Sequence, residues 1–217
     1  MIEELLPASA ASAAMLTDAP ETTLFPIEEE LIRRAVGKRR REFATGRVCA
    51  RKALEQLGIA PGPIPPGDRG EPLWPDGIVG SITHCDGYRA AAAANIDELI
   101  SIGIDAEPNT ELPDQLVEDI ARPEEMPMLA ELSRTEPGIH WDRMLFSAKE
   151  SVYKAWFPLT KSWLGFEDAT LSIDPQGTFA ARLLVPGPVL AGSEVRGFDG
   201  RWLARGGLLL AAVALKA

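Results

Sequence analysis

The chain has 217 residues, 46% of them hydrophobic and 25% charged, enough for one large domain or two small lobes with a buried core. A net charge of -10 disfavours general nucleic-acid binding, and no apolar run reaches the ~18 residues that cross a membrane. Cys49 and Cys85 show neither metal spacing nor a disulfide framework, and Glu3 and Glu4 stand where a secretory leader carries basic residues, so a reduced, cytoplasmic protein is expected.

Residues 1–27 are rich in Ala, Ser, Thr and Pro with little periodicity and read as irregular. From Glu28 to Leu57 the pattern is helical, with a break near Gly37 and Gly58 as a C-cap. Residues 59–77 are crowded with Pro and Gly and form a long loop, of the kind that is often functional. Extended segments follow at Ile78–Thr83, Tyr88–Ala94 and Leu99–Ala106. Residues 107–138 are acidic and Pro-rich, with one or two short helices. Ile139–Trp156 is a helix that Pro158 ends. Ala169–Ile173, Thr178–Leu184, Arg201–Ala204 and Leu208–Leu215 read as strands. Helices and hairpin-like strands are mixed in both halves, which predicts an α+β fold.

Charge is unevenly spread. Nine of the 22 Lys and Arg fall between Arg33 and Lys52, where Glu42 is the only acid. Such a block can focus a small polyanion, dock an acidic partner, or be a solvated helix face. There is no GxxxxGK[ST] phosphate loop, GxGxxG, GxSxG or HExxH, and the only histidines are His84 and His140. The chemistry therefore leans on carboxylates, lysines and arginines.

Three constellations carry it. In Ile102-Gly-Ile-Asp-Ala-Glu107, strand alternation points Asp105 and Glu107 to one face. Paired carboxylates repel, and oxygen-only ligands suit Mg2+ or Mn2+; an exposed strand end entering the Pro108 turn is the plainer alternative. In Phe146-Ser-Ala-Lys-Glu-Ser-Val-Tyr-Lys-Ala-Trp156, Trp141, Leu145, Ala148, Val152 and Trp156 make a core stripe. Phe146, Glu150, Tyr153 and Lys154 share a second face and Lys149 borders the stripe; Glu150 and Lys154 can equally be a surface i,i+4 pair. In the basic helix, Arg47, Ala50, Leu54 and Leu57 share one face, so Arg47 points inward, where an arginine needs an anionic partner. Arg39 and Arg40 lie two turns earlier. Asp68-Arg-Gly-Glu-Pro72 and Gly80-Ser-Ile-Thr-His84 follow, although His84 by itself reads as readily as structural.

The ordered strings FATGR, GEP, SITH, GIDAE and FSAKESVYK resemble the 4'-phosphopantetheinyl transferase superfamily. GIDAE is similar to its GxDxE and FSAKESVYK to its [WF]xxKE[AS]xxK, about 40 residues apart. The length looks like the surfactin/enterobactin-type group, and KAWFPLTKSWLGFEDA looks like its actinobacterial broad-specificity members. The resemblance implies two similar lobes in pseudo-twofold relation, residues 1–103 and 104–217, with the active site between them. It implies coenzyme A as substrate, Mg2+ (or Mn2+) as cofactor, apo acyl and peptidyl carrier proteins as usually acidic partners, and a monomer. Asp105, Glu107 and Glu150 match the metal acids, with Ala106 between the first two offering no ligand. Arg39 and Arg47 match residues holding the adenosine 3'-phosphate, and Arg69, Gly70, Glu71 and Pro72 the loop lining the adenine. Thr83 and His84 match the segment touching the phosphates, and Lys149 and Lys154 the lysines near the diphosphate and carrier serine. Tyr153, Trp163 and Leu164 edge the pantetheine tunnel. Glu150, Lys154 and His84 are the catalytic candidates. Arg69 stands where many relatives carry lysine, and SITH where SxSH is common. A Mg2+-dependent nucleotide diphosphate hydrolase and a non-catalytic coenzyme A or carrier-binding module are the alternatives.

Overall fold

The computed structural model describes residues 1–20 and 24–217. Two antiparallel sheets carry the fold. The first has the order β1-β3-β2, built from Ala11–Met15 (β1), Ile78–Cys85 (β2) and Tyr88–Asn95 (β3). The second has the order β4-β10-β9-β6-β5, built from Leu99–Pro108 (β4), Ala169–Asp174 (β5), Thr178–Leu183 (β6), Gly197–Arg205 (β9) and Leu208–Lys216 (β10). Val189–Leu190 (β7) and Ser193–Glu194 (β8) form a small separate hairpin. Among the described residues five α-helices accompany them: Pro26–Ile32 (α1), Gly37–Gln56 (α2), Asp114–Ile120 (α3), Met126–Thr135 (α4) and Trp141–Thr160 (α5). The α+β class is as the sequence predicts. β4 runs unbroken through residue 103, so the passage from the first sheet to the second falls in the turn at 96–98.

The run Ala90–Ala94 organises the first half. Strand alternation sends Ala91 and Ala93 toward α2, where they join Cys49, Ala50, Ala53 and Leu54. Ala90, Ala92 and Ala94 turn the other way, into a core shared with Ile102, Ile104 and Ala106 of β4 and Leu208, Leu210 and Ala212 of β10. Methyl-sized side chains on both faces let a helix and a second sheet approach one strand closely. On the far face of the second sheet, the stripe Trp141, Leu145, Ala148, Val152 and Trp156 is buried against Leu209, Ala211, Val213, Phe198 and Trp202.

Two expectations need correction. Residues 1–27 are not wholly irregular: Ile2–Leu5 form a 3-10 turn with Ile2 fully buried, and β1 pairs with β3 from Ala11↔Ala93 to Met15↔Arg89. The tertiary pairing of small residues on small residues makes this strand, not local propensity. Residues 21–23 lie outside the described residues. The helical stretch from Glu28 breaks before Gly37 as expected, and Gly58 closes α2 as expected, its φ of 75° and the Ile59 N–H to Leu54 carbonyl bond of 3.0 Å making a Schellman-type cap. Pro158 does not end α5. It sits two residues inside the end, where a missing N–H removes one hydrogen bond, and the helix continues to a left-handed C-cap at Lys161.

Candidate active site

The site is built where α5 lies along β4. Counting back along the helix in fours and forward along the strand in twos gives matched pairs. Ser101 donates its hydroxyl to the Ala155 carbonyl at 2.6 Å. Gly103 faces Ser151, so closely that an added Cβ would stand 1.9 Å from the Ser151 carbonyl oxygen. Ser147 donates to Asp105 Oδ2 at 2.8 Å, and Arg143 Nη1 to Glu107 Oε2 at 3.0 Å. Four helical residues rise ~6 Å and two strand residues ~6.6 Å, so the two periods stay in step over this length.

On its other side β4 meets β2 through side chains. Ser81 Oγ accepts the Ile104 N–H at 3.1 Å, and Thr83 Oγ1 accepts the Ala106 N–H at 3.0 Å. The Thr83 hydroxyl then donates to Asp105 Oδ1 at 3.3 Å, and Lys154 Nζ donates to the same oxygen at 2.6 Å. Asp105 is thus buried yet held by three donors. Burial, and then the Asp105 charge, push the Glu107 carboxyl up to about 6 against the pull of Arg143. Burial also raises Glu150 above the usual carboxylate range, with Asp105 adding to the rise and Lys154 opposing it. Glu150 takes no ion pair among the described residues.

As the side chains stand, the expected ready-made cradle of three acids is not met: among the described residues no three His, Cys, Asp or Glu converge to hold a metal. The reason is local charge balance, since Lys154 neutralises Asp105 and Arg143 neutralises Glu107. The donor set nonetheless suits a hard divalent cation. Asp105 disfavours ionisation of both Glu107 and Glu150, the repulsion that such an ion relieves.

A cleft of about 430 Å3 opens beside this cluster. Arg69, Gly70, Glu71, Pro72 and Trp74 line one side, β2 from Ile78 to Ile82 the floor, and Tyr153, Lys154, Phe157 and Lys161 the helix side. The loop is shaped by its own backbone: Leu73 N–H bonds to the Pro65 carbonyl at 2.8 Å, Gly70 adopts φ 86°, and Glu71 accepts the Arg69 N–H at 3.0 Å. Tyr153 packs against Trp163 with ring centroids 5.0 Å apart and planes tilted by 55°, and Trp163 is otherwise exposed. A wider hollow of about 970 Å3 lies on the outer face of β5, β6 and β9, but none of the predicted residues lines it, so volume alone does not pick out the site.

Arg39 and Arg47 lie outside the lining of the 430 Å3 cleft. Exposed Arg39 donates to His84 Nε2 at 2.9 Å, which leaves the histidine proton on Nδ1, 3.8 Å from Glu42. Burial, with Arg39, Lys154 and Arg89 nearby, holds His84 below its ordinary pKa. Arg47 points inward as expected and is buried. Its Nε bonds to the Ile64 carbonyl at 2.6 Å and its guanidinium stacks 4.1 Å above Phe43. Burial lowers it to about 10. Its terminal nitrogens take no hydrogen bond among the described residues, so the side chain is fixed at one end and uncommitted at the other.

Two family models match the chain, the 4'-phosphopantetheinyl transferase N-terminal domain over residues 27–94 and the 4'-phosphopantetheinyl transferase superfamily over 101–199. The 4'-phosphopantetheinyl transferase Svp of Streptomyces mobaraensis is 54% identical over 221 residues, covering 100% of this chain and 90% of the relative. PptT of Mycobacterium tuberculosis is 48% identical over 99% of this chain and 98% of its own, and Npt of Nocardia iowensis 47% identical over 99% of each. The chain belongs to the 4'-phosphopantetheinyl transferase superfamily.

In this transferase α5 delivers Glu150 and Lys154 beside Asp105, but it sends Lys149 elsewhere. Lys149 is buried. Its ammonium donates to the carbonyls of Ile120, Phe166 and Ala169 at 2.9, 2.8 and 3.2 Å and pairs with buried Glu125 at 2.9 Å. All its donors are spent on Ile120, Glu125 and the segment from Phe166 to Ala169, so the expected place near the diphosphate is corrected to a structural tie. Leu164 is likewise core, and Thr83 faces Asp105. Reading single strings misses Ser81, Arg143 and Ser147; setting the helix's spacing of four against the strand's spacing of two would have found the last two.

Proposed function

We propose that this transferase moves 4'-phosphopantetheine from coenzyme A to a serine of apo acyl and peptidyl carrier proteins at the junction of β4, α5 and β2. The observation that carries the site is Lys154, which lines the cleft and bonds to Asp105, so that one side chain joins the acids to the space bordered by the Arg69–Trp74 loop. Arg69, Gly70, Glu71 and Pro72 are proposed to border the adenine. Arg39 and the uncommitted end of Arg47 face the 3'-phosphate, Thr83 and His84 border the diphosphate, and Tyr153 and Trp163 flank the pantetheine arm.

Asp105, Glu107 and Glu150 are the residues that would hold Mg2+, which when bound offsets negative charge on the diphosphate oxygens. Lys154 would then leave Asp105 Oδ1 and turn its ammonium to the phosphates, a move of one flexible side chain. His84 keeps a neutral ring, protonated on Nδ1, between Arg39 and Glu42 and takes up positive character as an anion arrives. The carrier serine oxygen bonds to the β-phosphorus, the bond from that phosphorus to the bridging oxygen breaks, and adenosine 3',5'-bisphosphate leaves. The serine proton passes to Glu150, directly or through a water. The two sheets support a two-lobed organisation, with coenzyme A held by the first lobe and the acids by the second. Both sides of the cleft come from one chain, which supports a monomer. Among the described residues no helix is long and apolar enough to cross a membrane, and a cytoplasmic location is proposed from the two buried, unpaired cysteines.

Mass spectrometry of an apo-carrier after incubation with the protein, coenzyme A and Mg2+ tests this. The expected product is the carrier plus one phosphopantetheine, abolished by a chelator and by Asp105→Ala. Release of 3',5'-ADP without a carrier, at the full rate and with no mass gain, would replace transfer by hydrolysis.

A further inference from the structure

Asp105 offers two oxygens, and its donors divide between them unequally. Thr83 and Lys154 both reach Oδ1. Among the described residues Oδ2 has one donor, the fully buried hydroxyl of Ser147 at 2.8 Å. A helical serine ordinarily returns its proton to the carbonyl three or four residues back. That is what Thr45, Thr160 and Ser151 do in this chain, donating to Arg41, Trp156 and Ala148. Ser147 instead spends its only proton across the gap on the strand. The Lys154 contact must be surrendered before a cation can take Oδ1; the Ser147 contact need not be.

We propose that Ser147 is a positioning residue for the divalent cation: by pinning Oδ2 of Asp105 it leaves Oδ1, the oxygen beside the cleft-lining Lys154, as the one presented to the ion. A carboxylate free to rotate about χ2 would lose that presentation each time it turned. Arg143, one helical turn before Ser147, holds one oxygen of Glu107 in the same manner, so a single face of α5 orients both strand acids. The inference rests on the divalent-cation reading above.

Mn2+ binding to the full chain, followed by electron paramagnetic resonance, tests it without recourse to turnover. Wild type, Asp105→Ala, Ser147→Ala and Ser147→Thr are compared with and without coenzyme A. Ser147→Ala is expected to weaken Mn2+ by about 10-fold or more, as loss of a partner behind a metal-binding carboxylate does. Ser147→Thr, which keeps the hydroxyl, restores binding to within about three-fold of wild type, and metal-free coenzyme A binding stays unchanged in both variants. Should Ser147→Ala melt below the titration temperature, Ser147→Cys fills the same space with a weak donor and is expected to behave like the alanine variant. Wild-type Mn2+ affinity in the alanine or cysteine variant overturns the proposal, as does an equal loss of metal and metal-free coenzyme A binding, which marks a merely structural serine. If wild type and Asp105→Ala bind Mn2+ alike, the cation reading itself fails and this inference falls with it.

Discussion

Lys149 and Lys154 stand five residues apart on one helix and do unlike work, because what surrounds each differs. Lys154 keeps one contact, to Asp105, and a side open to the cleft. Lys149 has none to spare. Replacing it with Met leaves Glu125, 1% exposed, with two backbone N–H partners and without its ion-pair partner. Breaking one side of such a buried pair costs about 3–5 kcal/mol. Lys149→Met is therefore expected to lower the melting temperature sharply while the KM for coenzyme A of the folded fraction stays within about two-fold, and adding Glu125→Gln should recover part of the stability. A large rise in KM at an unchanged melting temperature would return Lys149 to the diphosphate. The string FSAKESVYK locates both lysines, and its apolar stripe already puts Lys149 at the core border. That the border is closed by Glu125, 24 positions earlier, is a matter of how α4 folds back, which local spacing does not encode.

The same distinction between local and tertiary information holds for whole elements. β4 and α5 are legible because each carries its own period: twos ending in Asp105 and Glu107, and an apolar stripe from Trp141 to Trp156. β1 is not, since Ala11–Met15 lacks β-branched or aromatic residues and becomes a strand only by pairing with Arg89–Ala93. How tightly α5 meets β4 is visible in the sequence only as a glycine inside a strand, a sign of close backbone approach. Gly103 is that point. An alanine methyl there would meet the backbone oxygen of Ser151 at 1.9 Å and the Ala155 nitrogen at 2.6 Å, neither of which can rotate away. The helix must move outward, at a cost near the upper end for overpacking, about 3 kcal/mol. For a chain of this length that lowers the melting temperature by on the order of 10 °C. Because Ser147, Glu150 and Lys154 ride on the same helix, transfer activity measured well below the transition should fall with it. A variant that melts within a degree of wild type and turns over normally would show that the helix does not need this contact.

For the molecule as a whole, charge sets two opposing expectations. The total of -10 repels coenzyme A and an acidic carrier, whereas the block from Arg33 to Lys52 attracts both. Distance decides between them. At ~0.1 M salt the screening length is about 10 Å, so an approaching anion feels the nearest patch more than the sum. Arg33 and Lys38 project that patch outward, with side chains 63% and 66% exposed and only weak partners in Glu30 and Glu42, 3.3 and 3.9 Å away. Raising monovalent salt from ~0.05 to ~0.5 M should then lower kcat/KM for the carrier several-fold, because screening removes attraction. Were the net charge in control, the same salt would screen repulsion and kcat/KM would rise. The sign of the slope discriminates between the two without any mutation. Combining Arg33→Gln with Lys38→Gln should flatten the slope while leaving kcat at saturating carrier unchanged, since neither side chain touches the cleft or its acids.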